Sequence, residues 1–171
     1  TDTSSCYNIN PSNPICDSIT NISASSILAI YGGSNGYLSG HNSYGDIAKA
    51  EAFSAISSGA IEKVELNLWG HDATGSSTVN VNIWDDNGGQ PYNIIATEST
   101  QISGFSSNFL GTQKTMVHFN PPVSPSGDFY VGVGLDYSNG DTVVIFTNQT
   151  KPWKCDQIKL VFESLSDIIN G

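Results

Sequence analysis

Polar and apolar residues alternate through Val79-Asn80-Val81-Asn82-Ile83-Trp84 and then give way to Asp85-Asp86-Asn87-Gly88-Gly89-Gln90-Pro91. A period of two puts one set of side chains on each face of an extended strand, and a polar Asp/Asn/Gly/Pro run supplies the surface turn that ends it. The same pattern returns at Phe129 to Tyr137, breaks at Ser138-Asn139-Gly140-Asp141 and resumes at Thr142 to Phe146. Two such units predict an antiparallel all-β domain.

Other segments extend the pattern. Ile61 to Trp69 alternates with Val64, Leu66 and Leu68 inward and Glu65, Asn67 and Trp69 outward. Thr115 to Asn120 sets Val117 and Phe119 inward and stops at Pro121-Pro122, while Gln157 to Glu163 sets Ile158, Leu160 and Phe162 inward. Ile27 to Tyr31 is a short apolar run ended by Gly32-Gly33-Ser34-Asn35-Gly36, and Ile47 to Phe53 reads as a strand with Ala48, Ala50 and Ala52 on one side. Together they give roughly eight to ten strands at the spacing of a β-sandwich. No strand–helix alternation supports an α/β fold, and no repeat or linker marks a solenoid or a second domain. The expected architecture is a single antiparallel, jelly-roll-like β-sandwich over residues 21–164, with an irregular leader at 1–20 and a tail at 165–171.

Composition adds location and excludes partners. A chain of 171 residues is long enough to bury one core without metals or disulfides. Only 13% of residues are charged, so the surface is neutral-polar, and 16 acidic against 6 basic residues give a net charge of −10. That charge repels a phosphate backbone and an anionic leaflet, which argues against nucleic acid. No apolar run approaches the ~20 residues of a membrane span, so no membrane insertion is expected. Thr1-Asp2-Thr3-Ser4-Ser5 lacks the basic and apolar regions of a signal peptide and reads as a processed N-terminus or an artificial boundary. Of three cysteines, Cys6 and Cys16 enclose Asn10-Pro11-Ser12-Asn13-Pro14, which can double back, so a Cys6–Cys16 bridge is favoured and Cys155 is left over. The rival pairing joins Cys155 to one of the N-terminal cysteines. Either bridge implies an oxidising, extracytoplasmic location.

Several segments taken in order carry a resemblance. They are Gly40-His41-Asn42-Ser43-Tyr44-Gly45-Asp46 running to Phe53, Val81 to Pro91, Pro121-Pro122-Val123 with Gly127 to Val133, and Asn139-Gly140-Asp141-Thr142-Val143. Across about residues 37–148 the chain resembles a non-catalytic β-sandwich accessory module of large secreted adhesins and proteases from Bacteroidota-type bacteria, often exported by the type IX route. The resemblance implies a secreted, extracellular or cell-surface location. The C-terminal sorting domain usual in such proteins is not in this sequence, which implies a processed fragment or a different export arrangement. Asp17-Ser18-Ile19 and Asp141-Thr142-Val143 match the O-glycosylation sequon of these bacteria, making Ser18 and Thr142 acceptors. Asn21-Ile22-Ser23 and Asn148-Gln149-Thr150 match the N-glycosylation pattern.

Catalytic patterns are weak. Gly32-Gly33-Ser34-Asn35-Gly36 has the spacing of a nucleophile elbow, but no helical pattern follows it, so a glycine-rich loop is expected. His71-Asp72 lacks a placed nucleophile. Neither H-E-x-x-H nor C-x-x-C occurs, and Glu51, Glu62, Glu65 and Glu98 form no pair legible from sequence. Calcium is the better metal candidate, because Asp85, Asp86 and Asn87 place hard oxygen ligands on one turn, with Asp46, Asp136 and Asp141 at other loop edges. The competing reading is Asx turns that terminate strands.

A recognition face completes the reading. Alternation sends Trp69, Trp84, His118 and Tyr130 away from the core, with Gly132 and Gly134 leaving a bare strip beside Tyr130. Exposed flat aromatics beside polar groups stack a sugar ring and bond its hydroxyls. The expected function is therefore a non-enzymatic adhesion module for a glycan or cell-surface protein, using Trp69, Trp84, Tyr130, His118 and Gln90. The alternative is a structural subunit that self-associates into a surface layer or filament through strand edges or donated strands.

Overall fold

In the computed structural model, which describes residues 17–21, 26–56, 59–148 and 158–163, the alternating segments are strands of an all-β, antiparallel, sandwich-like fold. In chain order the strands are β1 (Asp17–Thr20), β2 (Leu28–Ala29), β3 (Gly32–Gly33), β4 (Gly36–Tyr37), β5 (Ala48–Phe53), β6 (Ala60–Leu66) and β7 (Leu68–His71). They continue with β8 (Thr78–Asp86), β9 (Pro91–Gln101), β10 (Thr115–Val123), β11 (Phe129–Gly134), β12 (Thr142–Ile145), β13 (Thr147–Asn148) and β14 (Ile158–Glu163). One four-stranded sheet runs β1-β14-β6-β10 and another runs β5-β11-β8-β9. Three two-stranded pairs, β12-β7, β13-β2 and β3-β4, complete the described strands.

The core lies where the inward faces of these strands meet. Val64 and Leu66 of β6, Val81 and Ile83 of β8, Val131 and Val133 of β11, and Leu160 of β14 are fully buried in one cluster. Each such side chain contributes about 1.5–3 kcal/mol by leaving water. Phe53 and Phe129, cross-strand partners on β5 and β11, stack at 5.6 Å between ring centroids. A short 3₁₀ turn, Ile102–Gly104, closes one side by burying Ile102 with Phe105.

Three details depart from the alternation. Asn67, read as outward, is buried at the break between β6 and β7, where its carbonyl accepts the Phe146 N–H at 2.9 Å. β10 does not stop before the prolines. It crosses Pro121 and Pro122 to Val123, with a cis Asn120–Pro121 bond and a register shift against β6 between His118 and Val123. The shift is what lets a strand carry residues with no N–H to donate. Residues 17–20, read as part of the leader, form β1 and pair with β14 from Asp17↔Phe162 to Thr20↔Lys159. Among the described residues no helix is long and apolar enough to cross a membrane.

Candidate functional site

Gly32-Gly33-Ser34-Asn35-Gly36-Tyr37 folds as a tight hairpin, with Gly32 opposite Tyr37, Gly33 opposite Gly36, and Ser34-Asn35 as the turn. It is strand–turn–strand, where a nucleophile elbow needs strand–turn–helix. Gly36 takes φ +92°, and a Cβ there would stand 2.6 Å from the His41 carbonyl oxygen, so no other residue fits. Tyr37 lies back over Gly32, whose added Cβ would meet the ring at 3.0 Å.

The loop that follows is held by a dense set of hydrogen bonds. The Tyr37 N–H donates to the His41 carbonyl at 2.8 Å, and the Asn42 amide donates to the Gly40 carbonyl at 3.1 Å and to Asp46 at 2.8 Å. Asn42 Oδ1 accepts the Tyr44 N–H at 3.0 Å, and the Lys49 ammonium donates to Asp46 Oδ2. Those two donors, Lys49 first and then Asn42, hold the Asp46 carboxyl below its ordinary value. His41 is buried: Nδ1 accepts the Val143 N–H at 2.8 Å, so the other ring nitrogen carries the proton and donates to the Asp136 carbonyl at 2.8 Å. The Tyr137 hydroxyl packs alongside and donates to the Asp46 carbonyl at 3.0 Å.

Two clefts flank this hairpin and share Gly32 and Tyr37 as a common wall. The first, about 360 Å³, is apolar and lined by Ile30, Tyr37, Trp69, Phe109, Leu110 and Phe146. The Trp69 ring stands 5.7 Å from Tyr37 at 62° and 5.8 Å from Phe109 at 86°, and Phe109 is 68% exposed. The second, about 300 Å³, mixes the rings of Tyr31, Tyr37 and Tyr44 with Asn35, Asn42, Asp46 and Lys49. The Asn35 amide donates to the Tyr44 hydroxyl at 3.0 Å across its mouth. Apolar ring faces beside an amide and phenol groups can hold a ligand that has both flat C–H faces and hydroxyl edges.

The aromatics expected to form one face are dispersed. Trp69 alone lies at the clefts, half-buried on β7. Trp84, expected on the open face, is 7% exposed and outside the core cluster; its cross-strand partners are Tyr130 on β11 and Ile94 on β9. Tyr130 is half-buried; burial first, then the neighbouring Asp86 carboxylate and its hydrogen bond, raises the phenol above its ordinary value. His118 is exposed on β10 opposite Lys63, in the other sheet. The bare strip is filled: a Cβ on Gly132 would lie 2.0 Å from the Lys49 carbonyl oxygen of β5.

The carboxylates of the Asp85-Asp86-Asn87 turn are bonded to neighbouring donors, Asp85 to Asn93 on β9 and Asp86 to its own turn. Asp85 accepts the Asn93 N–H and amide, Asp86 accepts the Gly89 N–H at 3.0 Å, and the Asn87 N–H donates to the exposed Gln90's carbonyl at 3.0 Å. This is the Asx-turn arrangement. Among the described residues no group of three or more His, Cys, Asp or Glu side chains is placed to hold a metal ion. His71 is exposed, and Asp72 accepts the Gly75 N–H at 2.7 Å and that of Thr74 at 3.2 Å, capping its own loop.

Of the glycosylation candidates, Ser18 lies in β1 and Thr142 in β12, both half-buried. The Asn21 amide donates to Glu51 and to the Ala52 carbonyl, and that of Asn148 to Ser26 Oγ at 3.1 Å. Cys6, Cys16 and Cys155 lie outside the described residues.

Tyr31, Tyr37, Tyr44, Asn35, Asn42 and Phe109 carry the clefts without having been singled out by alternation. The one signal available was the density of Tyr, Asn and Gly through residues 31–46. No protein-family model matches the chain, and neither a curated protein nor a solved structure matches it.

Proposed function

We propose that the chain is a non-enzymatic extracellular recognition module that binds glycans at the clefts beside the Gly32–Tyr37 hairpin. The observation that carries this reading is the junction of an aromatic wall, Tyr37, Trp69 and Phe109, with a cleft lined by the Asn35 amide and the Tyr44 phenol, on a loop braced by Asn42 and Asp46. Rings stack against the C–H face of a pyranose, and oriented amides bond its hydroxyls. The resemblance to secreted accessory modules supports the extracellular setting. Calcium has no part in this proposal, because the Asp85 and Asp86 carboxylates are committed to neighbouring donors.

Titration calorimetry on hits from a glycan array tests it. An aromatic contact is worth about 0.5–1.5 kcal/mol beyond its buried area, so Tyr37→Ala or Trp69→Ala should weaken binding roughly twofold to tenfold. Trp84→Ala should lower stability and leave affinity unchanged. A blank array, or affinity lost only with Trp84→Ala, refutes the assignment.

A second reading, self-association, is favoured by β9. This 11-residue strand is the edge of its sheet and exposes Tyr92, Ile94 and Ile95 at 64%, 55% and 41%. Such an edge can pair with another strand. Light scattering decides: mass that rises with concentration, and falls on Ile94→Lys, supports assembly, whereas a constant monomer mass dismisses it.

A further inference from the structure

We infer that Asn87 is a site of spontaneous modification, where the side-chain amide becomes a carboxylate through a cyclic imide, and that the fold spares the same Asn–Gly step at Asn35 beside the clefts. The inference goes beyond the glycan reading and stands whatever the clefts bind.

The sequence contains four Asn–Gly steps, 35–36, 87–88, 139–140 and 170–171, the last outside the described residues. Glycine favours ring closure because no Cβ shields its nitrogen from the preceding side chain. The glycine N–H gives its proton to hydroxide, its nitrogen bonds to the asparagine Cγ, and the Cγ–Nδ2 bond breaks to release ammonia. Water then opens the imide at either carbonyl, leaving aspartate or, with the chain rerouted through Cβ, isoaspartate. Water and hydroxide are the co-reactants, and nothing is oxidised or reduced. Each conversion adds one negative charge to a chain of net charge −10.

Exposure does not separate the steps, since Asn35, Asn87 and Asn139 are all exposed. Fixation does. Closing the ring requires the asparagine side chain to turn onto the next nitrogen and the intervening peptide to rotate. At Asn35 both movements are opposed: its amide donates to the Tyr44 hydroxyl at 3.0 Å, and its carbonyl accepts the Ser43 N–H at 2.8 Å. Gly36 is paired with Gly33 on one side and bridged to Asn42 on the other, so close that a Cβ would stand 2.6 Å from the Asn42 Cα. These ties keep an uncharged amide in the lining of the second cleft.

Asn87 is the opposite extreme. Among the described residues its side-chain amide has no hydrogen-bond partner, and the peptide joining it to Gly88 makes no hydrogen bond through either its carbonyl or its N–H. Gly88 takes φ +69°, and a Cβ there would meet nothing within 4 Å, so the forming ring has room. The bonds that hold this turn, from the Asn87 N–H to the Gln90 carbonyl and from the Gly89 N–H to Asp86, lie on either side of the peptide that must rotate.

The test holds the intact chain at mildly alkaline pH, in buffer and in guanidinium chloride, and follows each step by peptide mapping with mass spectrometry. In denaturant Asn35 and Asn87 should convert alike. In the folded chain Asn87 should keep its denatured rate to within about threefold, whereas Asn35 should be slowed about tenfold or more, the protection that one or two hydrogen bonds supply. Tyr44→Phe alters a ring that is 76% exposed, so the variant should fold; it removes the acceptor of the Asn35 amide and should speed Asn35 by about twofold to tenfold while leaving Asn87 unchanged. Equal rates for Asn35 and Asn87 in the folded chain, equal slowing of both by folding, or a Tyr44→Phe variant in which Asn35 is no faster overturns the inference. None of these outcomes touches the glycan reading, which the array decides.

Discussion

Tyr130 shows how a side chain can be read for its face while its neighbours stay out of sight. Alternation along β11 sends it away from Val131 and Val133, but pairing places it beside Trp84 and brings its phenol to Asp86. The consequence is measurable. Its folded-state value is raised above the ordinary 10.0, so the fold favours the neutral phenol. That contribution is fully present below pH 10 and is lost as pH climbs through the folded value. Denaturant midpoints should therefore fall at strongly alkaline pH, and Tyr130→Phe should flatten the fall; an unchanged alkaline profile in the variant would remove the Tyr130 phenol as the cause. Trp84 makes the same point without titration. A period of two identifies a side, whereas coverage depends on what the neighbouring strands β9 and β11 carry, which no local pattern encodes. Trp69, Phe109 and Tyr37 met for the opposite reason: loop closure brought together residues far apart in the chain, where periodicity has nothing to say.

At the level of strands, hairpin grammar was the legible part. β8, β11 and β12 stand on the alternating segments, although β8 runs on through Asp85 and Asp86, read as turn, and β11 stops at Gly134 short of Tyr137; β6 and β7 bury Val64, Leu66 and Leu68 as read. β9 was missed because Tyr92, Asn93, Ile94 and Ile95 are all exposed, so its outer half has no polar/apolar contrast. β10 was cut short because proline usually ends a strand, and the register shift at His118 to Val123 was invisible in one dimension. The glycines of β11 were read as vacancies, and one of them, Gly132, is a close approach. Gly132→Ala should cost about 1–3 kcal/mol or prevent folding, since the new methyl meets the β5 backbone. Gly134→Ala, with its nearest neighbour at 3.4 Å, should be tolerated within about 1 kcal/mol. Chemical denaturation of the two variants side by side checks the contrast; equal losses would show that general strand propensity, not the β5 contact, governs the site.

For the molecule as a whole, the all-β sandwich-like architecture was legible because core formation repeats one simple rule on every strand, while the clefts depend on a single irregular loop anchored by His41 and Asn42. Pairing of β1 with β14 adds a property of a different kind. Asp17 sits opposite Phe162, and the two strands run antiparallel from there, so the first residue of β1 and the last residues of β14 lie at the same end of one strand pair, about 5 Å apart. A pulling force applied through the flanking chain would load the β1–β14 hydrogen bonds one after another, as in opening a zipper, instead of all together in shear. In single-molecule stretching β1 should peel away first, at low force and before the core yields; simultaneous rupture of the whole fold at high force would contradict this. Tension applied at those two points would draw out the edge strand early, so that Val64, Leu66 and the clefts beyond them would stay intact while the end-to-end length grows.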